Sequence, residues 1–334
     1  MKAPRFWRKS RLTLTARALF PIGALVGAVT AKRMARAGRG VGVPVLCIGN
    51  FVVGGAGKTP AAIAIAKLMQ GSGERVAFLS RGYGGASRAA PLAVDLSLHN
   101  AREVGDEPLL LARVAPCFVG PDRVASAMAA IETGANLLVM DDGLQNPSLK
   151  KDISIAVVDG ESPFGNGLCL PAGPLRAPLA VQMRHADAIL VIGGDAVALA
   201  EVRAKAQGRP VFTARLQPDA VAASPLIGRP VLAFAGIARP EKFFDSLVSL
   251  GATVVAAKGF PDHHAYSAAQ IEALLRVAAR RNLLPVTTEK DYVRIPGPYA
   301  REILTLPVTL RLDDPRGLSK LIASALGRKA ARFP

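Results

Sequence analysis

The sequence predicts an α/β protein: a parallel sheet with helices on both faces, followed by a smaller C-terminal α/β unit and preceded by a basic N-terminal helix. Three observations carry this. Short unbroken apolar runs alternate with helix-length segments, the pattern of strands buried on both faces. The alternation halts near residues 217–228 and then restarts. The first forty residues hold ten Lys/Arg and no acid around an uncharged apolar stretch.

Length and composition agree. At about 150 residues per domain, 334 residues suit two domains, and a 50% hydrophobic content excludes a disordered chain. Lys+Arg outnumber Asp+Glu by 42 to 25, but the N-terminal arm holds ten of the bases and the first acid is Glu74. The remaining 32 bases against 25 acids leave only +7 on residues 41–334. A nucleic-acid binder would group charge and aromatic residues on a reading surface, so no nucleic-acid partner is expected. Cys47, Cys117 and Cys169 are odd in number, far apart and without a CxxC, which argues against a disulfide framework or zinc site.

The elements follow in order. Residues 18–31 carry no charge and include Leu19, Phe20, Ile22, Leu25 and Val26. As a helix they would span roughly 21 Å, short of the ~30 Å hydrocarbon core. Arg5, Arg8, Lys9, Arg11 and Arg17 precede them; Lys32, Arg33, Arg36 and Arg39 follow; Phe6 and Trp7 suit headgroup depth. Residues 1–38 thus read as an interfacial helix on an anionic bilayer. A cleaved signal peptide has a similar profile, but a cytosolic type of phosphate site follows directly. An ordinary packed helix with a solvated basic face is the other alternative.

Strands are expected at 43–48, 76–79, 117–119, 137–140, 153–158 and 188–192, with helices at 59–69, 107–115, 122–133 and 196–206. These make residues 39–217 a nucleotide-binding domain. The pattern then gives strands at 231–235, 253–258 and 286–288, and helices at 240–250 and 267–281, the latter opened by a Ser267/Gln270 capping box. An extended stretch at 303–312 is interrupted by Pro307, and a last helix opens on Asp314-Pro315. Residues 222–334 are expected to form the smaller domain, closing a cleft.

The chemistry concentrates after strands. Gly54, Gly55, Ala56, Gly57, Lys58 and Thr59 link a strand to a helix. Small residues let backbone N–H groups approach phosphate oxygens, the helix N-terminus adds positive potential, the lysine reaches the β/γ-phosphates and the hydroxyl suits Mg²⁺. This is a P-loop NTPase-type feature, although Val52 stands where GxxxxGK[ST] has its first glycine. Asp141 and Asp142 close the strand at 137–140, where a Mg²⁺ shell is built beside such a loop; a solvated strand-end turn is the plainer reading. Gly105-Asp106-Glu107-Pro108 sits before a helix and alone would suit an N-cap. Asp262-His263-His264 places two of the four histidines beside a carboxylate. Arg81 and Arg123 also follow strands, and Arg176 ends a Gly/Pro-rich stretch at 164–176.

Together these pieces resemble the tetraacyldisaccharide 4'-kinases of lipid A synthesis. The matching segments are GNFVVGGAGKTP (49–60), SRGYGG (80–85), VGDEP (104–108), DDGLQN (141–146), FGNG with PAGPLR (164–176), AGIARPEKFF (235–244), FPDHH (260–264) and TEKD (288–291). They run in the family's order over nearly the whole chain. Gly85, Asn146 and Ala177 depart from it, where an arginine, a histidine and an acid are common.

The resemblance implies transfer of the ATP γ-phosphate to the 4'-hydroxyl of an anionic, acylated glucosamine disaccharide 1-phosphate. It implies a monomer at the cytoplasmic face of a bacterial inner membrane, with ATP and Mg²⁺ as cofactors. Lys58 and the loop N–H groups would hold phosphates, and Thr59, Asp141 and Asp142 the metal. Asp106 matches the family's base, with His263 as partner and His264 as rival. Arg123 and Arg176 would neutralise transition-state or substrate charge. Among other classes, a GTPase would need N/T-K-x-D, but Thr288-Glu289-Lys290-Asp291 has the lysine directly before the aspartate. A purely structural membrane protein would not need Lys58, Thr59 and two aspartates.

Overall fold

The computed structural model describes residues 4–8, 12–86 and 90–327. Lys9 and Arg11 of the basic arm lie outside the described residues. The large sheet contains β1 (Val45–Asn50), β2 (Val76–Ser80), β3 (Leu92–Ala93), β4 (Cys117–Val119), β5 (Leu137–Asp141), β6 (Ile153–Asp159), β7 (Ala188–Ile192) and β8 (Val211–Pro218). A smaller sheet contains β9 (Pro230–Ala235), β10 (Thr253–Gly259), β11 (Leu284–Thr288) and β12 (Leu304–Leu306). The next strand, β13 (Val308–Leu312), returns to the large sheet.

The large sheet has the order β13-β8-β7-β6-β1-β5-β2-β4-β3, parallel except for the antiparallel edge strands β13 and β3. Every residue of β1, β2 and β5 is buried, so alternation is absent from their sequence. β1 lies between β5 and β6, with Ile48 opposite Asp141 and Asn50 opposite Val157. That register brings the loop after β1 and the acidic end of β5 to the same sheet edge, the usual ligand edge of a parallel α/β sheet.

Helix α1 spans Leu14–Met34, and α2 spans Lys58–Gln70. α2 buries Ala61, Ala62, Ile65, Ala66 and Met69, the i, i+3, i+4 stripe of a helix lying on a sheet. They pack with Leu46, Ile48, Val139 and Ile155 on one face. The opposite face carries two further clusters, one around Phe51, Leu144 and Phe164, the other around Val45, Leu138 and Met140. The small sheet is parallel, in the order β10-β9-β11-β12. Helix Pro240–Ser249 contributes Phe243 and Leu247 to one of its cores, and helix Ala268–Arg280 contributes Ile271 and Leu274 to the other.

Two expectations need correction. Residues 222–334 were expected within the smaller unit, but β13 pairs antiparallel with β8, Leu310 opposite Leu216. Leu318 and Ile322 of the last helix, Pro315–Ala325, join the core beneath α2. The extended stretch is really two strands in two sheets. Pro307, with no N–H for a ladder, separates them, and its carbonyl accepts from Asp219 N at 2.9 Å. β8 itself escaped the sequence reading because most of its residues are half-buried or exposed and form no apolar run.

The N-terminal helix is longer than expected: 21 residues, or about 31 Å. Arg17, Lys32 and Arg33 belong to it, and Thr13 caps it by accepting from Ala16 N. By length and composition it could cross a membrane. Only Ala16, Gly23, Gly27 and Met34 are buried. A Cβ on Gly23 would lie 2.7 Å from Cys169 O, and one on Gly27 2.8 Å from Cys169 Sγ, so only glycine permits this approach. Leu14, Phe20, Ile22, Leu25 and Val29 remain exposed.

Candidate active site

The phosphate-type loop sits between β1 and α2. Gly54 and Gly57 adopt φ of 123° and 82°. At Gly57 a Cβ would also meet Ile192 Cδ1 at 2.7 Å, so both conformation and space demand glycine. Gly57 occupies the N-cap of α2 without a side-chain cap, leaving first-turn N–H groups for an anion. Lys58 and Thr59 open the helix; Thr59 is buried and Lys58 Nζ lies 3.8 Å from Asp142 Oδ1.

The acidic pair divides into two environments. Asp142 sits at φ 52° just past β5, turning its carboxylate to Arg176. Arg176 Nη2 donates to Asp142 Oδ2 at 3.0 Å, and Nη1 lies 3.0 Å from Oδ1 as an ion pair without hydrogen-bond alignment. Burial opposes ionisation of Asp142, but Lys58 and Arg176 outweigh it and hold its carboxyl below the usual range. Asp141 makes no ion pair among the described residues. It is 2% exposed, and its Oδ1 has no hydrogen-bond partner. Burial, then Glu107 and Asp142, push its carboxyl up to about 7.

Arg176 is positioned by the 164–176 stretch. Val53 N donates to Pro174 O, Arg176 N donates to Phe51 O, and Arg176 Nε reaches Val52 O at 3.3 Å. The same stretch holds the N-terminus: Asn166 N donates to Trp7 O at 2.7 Å and Trp7 Nε1 to Pro171 O at 3.0 Å. Beneath it, Gln145 Nε2 donates to Asn50 O and to Gln182 Oε1, both at 2.7 Å. This buried amide network braces the loops; DDGLQN contained Gln145, but its bracing role needed three-dimensional contacts to be seen. Arg123 is 3% exposed, with Nη1 donating to Gly120 O and Nε unpartnered. Burial, followed by Arg81, weakens its hold on its proton.

A second cluster joins the two sheets. Short helices Ala101–Val104 (α3) and Asp106–Ala112 (α4) are separated by Gly105, at φ 88°. Asp106, 3% exposed, faces the loop after β10, where His263 sits at φ 56°. His263 Nδ1 lies 2.9 and 3.2 Å from the two Asp106 oxygens. His264 does not reach Asp106: its Nε2 bonds Gln270 Oε1 at 3.0 Å and its ring stacks on Phe260. Burial works against charge on Asp106, yet His263, Lys290 and Arg294 outweigh it and hold the carboxyl below its ordinary range. A cavity of about 370 Å³ opens at this pair, lined by Tyr83, Asn100, Arg102, Asp106, His263 and Pro296 among others.

Sequence reading gave no role to Glu107, Lys290 or Arg294. Lys290 Nζ lies 3.0 Å from Glu107 Oε1 and 3.3 Å from His263 Nε2. Arg294 Nε lies 3.4 Å from Asp106 Oδ2. Glu107 also acts on Asp141, which links the dyad to the phosphate side. VGDEP and TEKD contained two of the three, but only the fold shows them meeting.

Comparison with known proteins places the chain in a family. The LpxK family profile, tetraacyldisaccharide-1-P 4'-kinase, matches residues 15–327. The chain belongs to this family. A tetraacyldisaccharide 4'-kinase of Methylobacterium sp. (strain 4-46) is 54% identical, covering 99% of both chains. That of Methylobacterium nodulans is 52% identical over 98% of this chain and 97% of its own. A crystal structure of Aquifex aeolicus LpxK in complex with ATP matches with a TM-score of 0.75 at 26% identity, over 94% of this chain and all of that one.

The three departures from the LpxK pattern have structural settings. Gly85 packs against residues 103–105, and a Cβ there would meet their backbone at 2.8 Å, so an arginine requires a different loop. Asn146 uses Oδ1 to accept from Ser148 N. Ala177 is fully buried with its carbonyl accepting from Gln182 Nε2 at 2.6 Å, leaving no room for a solvated acid.

Proposed function

We propose that this chain transfers the γ-phosphate of ATP to the 4'-hydroxyl of a tetraacyldisaccharide 1-phosphate, working as a monomer at the cytoplasmic face of the inner membrane. The observation that carries the reading is the Asp106–His263 pair: it spans the two sheets at the mouth of a cavity, beside a phosphate loop at the same sheet edge.

Phosphoryl transfer needs positioning and charge neutralisation more than covalent chemistry from the protein. The N–H groups of Gly55, Gly57 and Lys58, with the Lys58 ammonium, hold the β- and γ-phosphates, while Ala56 N donates within the loop to Gly54 O. Thr59 and the two aspartates suit Mg²⁺: an unpartnered oxygen on a fully buried carboxylate is costly until a cation meets it. When bound, Mg²⁺ neutralises phosphate charge. Arg176 holds Asp142 in place and adds positive potential at the loop; buried Arg123, its Nε unpartnered, acts electrostatically on Asp141 and Asp142. Asp106, kept ionised, accepts the proton of the attacking hydroxyl, and His263 fixes its orientation. The cavity between the sheets receives the sugar, and the exposed apolar face of α1 keeps the enzyme at the bilayer where the acyl chains lie.

Incubation with Mg²⁺ and γ-labelled ATP, offering the lipid disaccharide or water as acceptor, tests this. Label should move to the lipid. Equal release to water with no labelled lipid would refute it.

A further inference from the structure

The turn carrying TEKD holds one side chain that points out of the small sheet's unit into the dyad. Thr288 caps it by accepting from Asp291 N at 3.0 Å. Asp291, fully buried, accepts from Gly236 N, Tyr266 Oη and Thr288 Oγ1 at 2.8, 2.7 and 2.6 Å. Three donors on one carboxylate leave the turn little freedom. Lys290 is thereby delivered between Glu107, at 3.0 Å, and His263 Nε2, at 3.3 Å.

An ammonium has donors and no acceptor. Its contact with Nε2 is therefore a hydrogen bond only if Nε2 offers its lone pair. The ring proton then resides on Nδ1, which faces Asp106 Oδ2 at 2.9 Å. The opposite tautomer would turn an N–H against the ammonium and leave Nδ1 facing a carboxylate lone pair to lone pair. We infer that Lys290 is a positioning residue that fixes His263 as the Nδ1–H tautomer, so that the imidazole donates to Asp106 and Asp106 remains the proton acceptor of the pair.

The neighbours sharpen the argument. Asp262 Oδ2, 3.9 Å from Nε2, is the carboxylate oxygen whose field favours an Nε2–H, and Lys290 stands against it. Lys290 meets the ring from the turn after β11 and is itself held by Glu107 of α4, Arg294 lies on Asp106, and the Tyr83 ring meets the imidazole edge-on at 5.6 Å. Lys290 is the cation in contact with Nε2 and acts together with Asp106 on Nδ1, so removing it should raise the share of the Nε2–H form rather than merely loosen the loop.

The effect on rate rests on the kinase reading above; the tautomer does not. In full-length protein with ¹⁵N-labelled histidine, assigned by the signal lost in His263→Gln, His263 should show a protonated Nδ1 and an unprotonated Nε2. In Lys290→Met a measurable share of the proton should move to Nε2, and kcat should fall about 10- to 100-fold, less than loss of the base itself, with the KM for ATP within about twofold. Lys290→Arg, which still donates without accepting, should keep the Nδ1–H form and recover most of kcat. A wild-type ring protonated on Nε2, or a ring unchanged in Lys290→Met, would overturn the inference. Absence of lipid phosphorylation by the wild type would count against the proposed reaction, while the nitrogen shifts decide the tautomer independently.

Discussion

Asp141→Asn should make the metal-free protein more stable, and only above the pH at which an aspartate of the unfolded chain ionises. An ordinary carboxyl titrates near 3.8, whereas burial beside Glu107 and Asp142 moves this one to about 7. The folded state therefore holds a proton that the unfolded state releases between those values. Stability is undiminished below about pH 4, falls as pH rises to 7 and stays low above it. At 1.36 kcal/mol per unit the shift sets a ceiling of about 4 kcal/mol. Relaxation and water entry reduce this, so about 1–2 kcal/mol is expected. Asparagine keeps the shape and removes the charge. In EDTA at pH 8 its melting temperature should exceed the wild type's by roughly 1.5–3 °C, and the gain should nearly vanish at about pH 3.5. Saturating Mg²⁺ should raise the wild type but not the variant. Equal melting temperatures at pH 8, or the same gain at both pH values, would show that Asp141 carries no such buried charge.

Lys58→Ala should cost several orders of magnitude in turnover, because its charge acts on the transferring group, with folding by circular dichroism retained; near-normal turnover in the folded variant would remove the phosphate-site reading. Asp106→Ala and His263→Ala should each slow the chemical step by about 10²–10⁴-fold, and the double variant should be scarcely worse than the worse single one; multiplicative losses in single-turnover kinetics would assign them separate roles. His264→Ala should change kcat by less than about tenfold while lowering the melting temperature, since this ring packs on Phe260 and braces Gln270. Replacing Phe20, Ile22 and Leu25 together by serine should release the protein from anionic vesicles in a sedimentation assay, whereas high salt should only weaken wild-type binding, because apolar burial is unscreened; unchanged pelleting of the triple variant would locate the anchor elsewhere.

The parallel sheet was legible because its strands are buried on both faces and read as apolar runs; β8, half exposed, was not. Phosphate-loop and acidic residues were legible because their spacing is local: a loop, a lysine and a hydroxyl within six positions. The dyad is a different matter. Asp106 and His263 are 157 residues apart, and residue types alone left His263 and His264 equivalent. The resemblance favoured the first, and the left-handed turn at His263 places it against Asp106. Lys290 and Arg294 were invisible because they act through contacts across the two sheets. The return of β13 was hidden for a related reason: an extended run broken by one proline gives no sign that its halves serve different sheets.

That return has a consequence for synthesis. The small sheet is an insertion whose two ends meet, Asp219 N against Pro307 O, while Leu318 and Ile322 belong to the core under α2. A ribosome delivers the phosphate loop long before it delivers those two side chains. The nascent large sheet thus waits, one edge strand and one helix short, while the inserted unit emerges with a complete sheet of its own. The nucleotide half, although first in sequence, is the last to be finished. A nonsense mutation after residue 307 would spare the inserted unit's strands and leave the ATP-binding half with an open core, exposing the apolar surface that quality-control proteases and chaperones recognise.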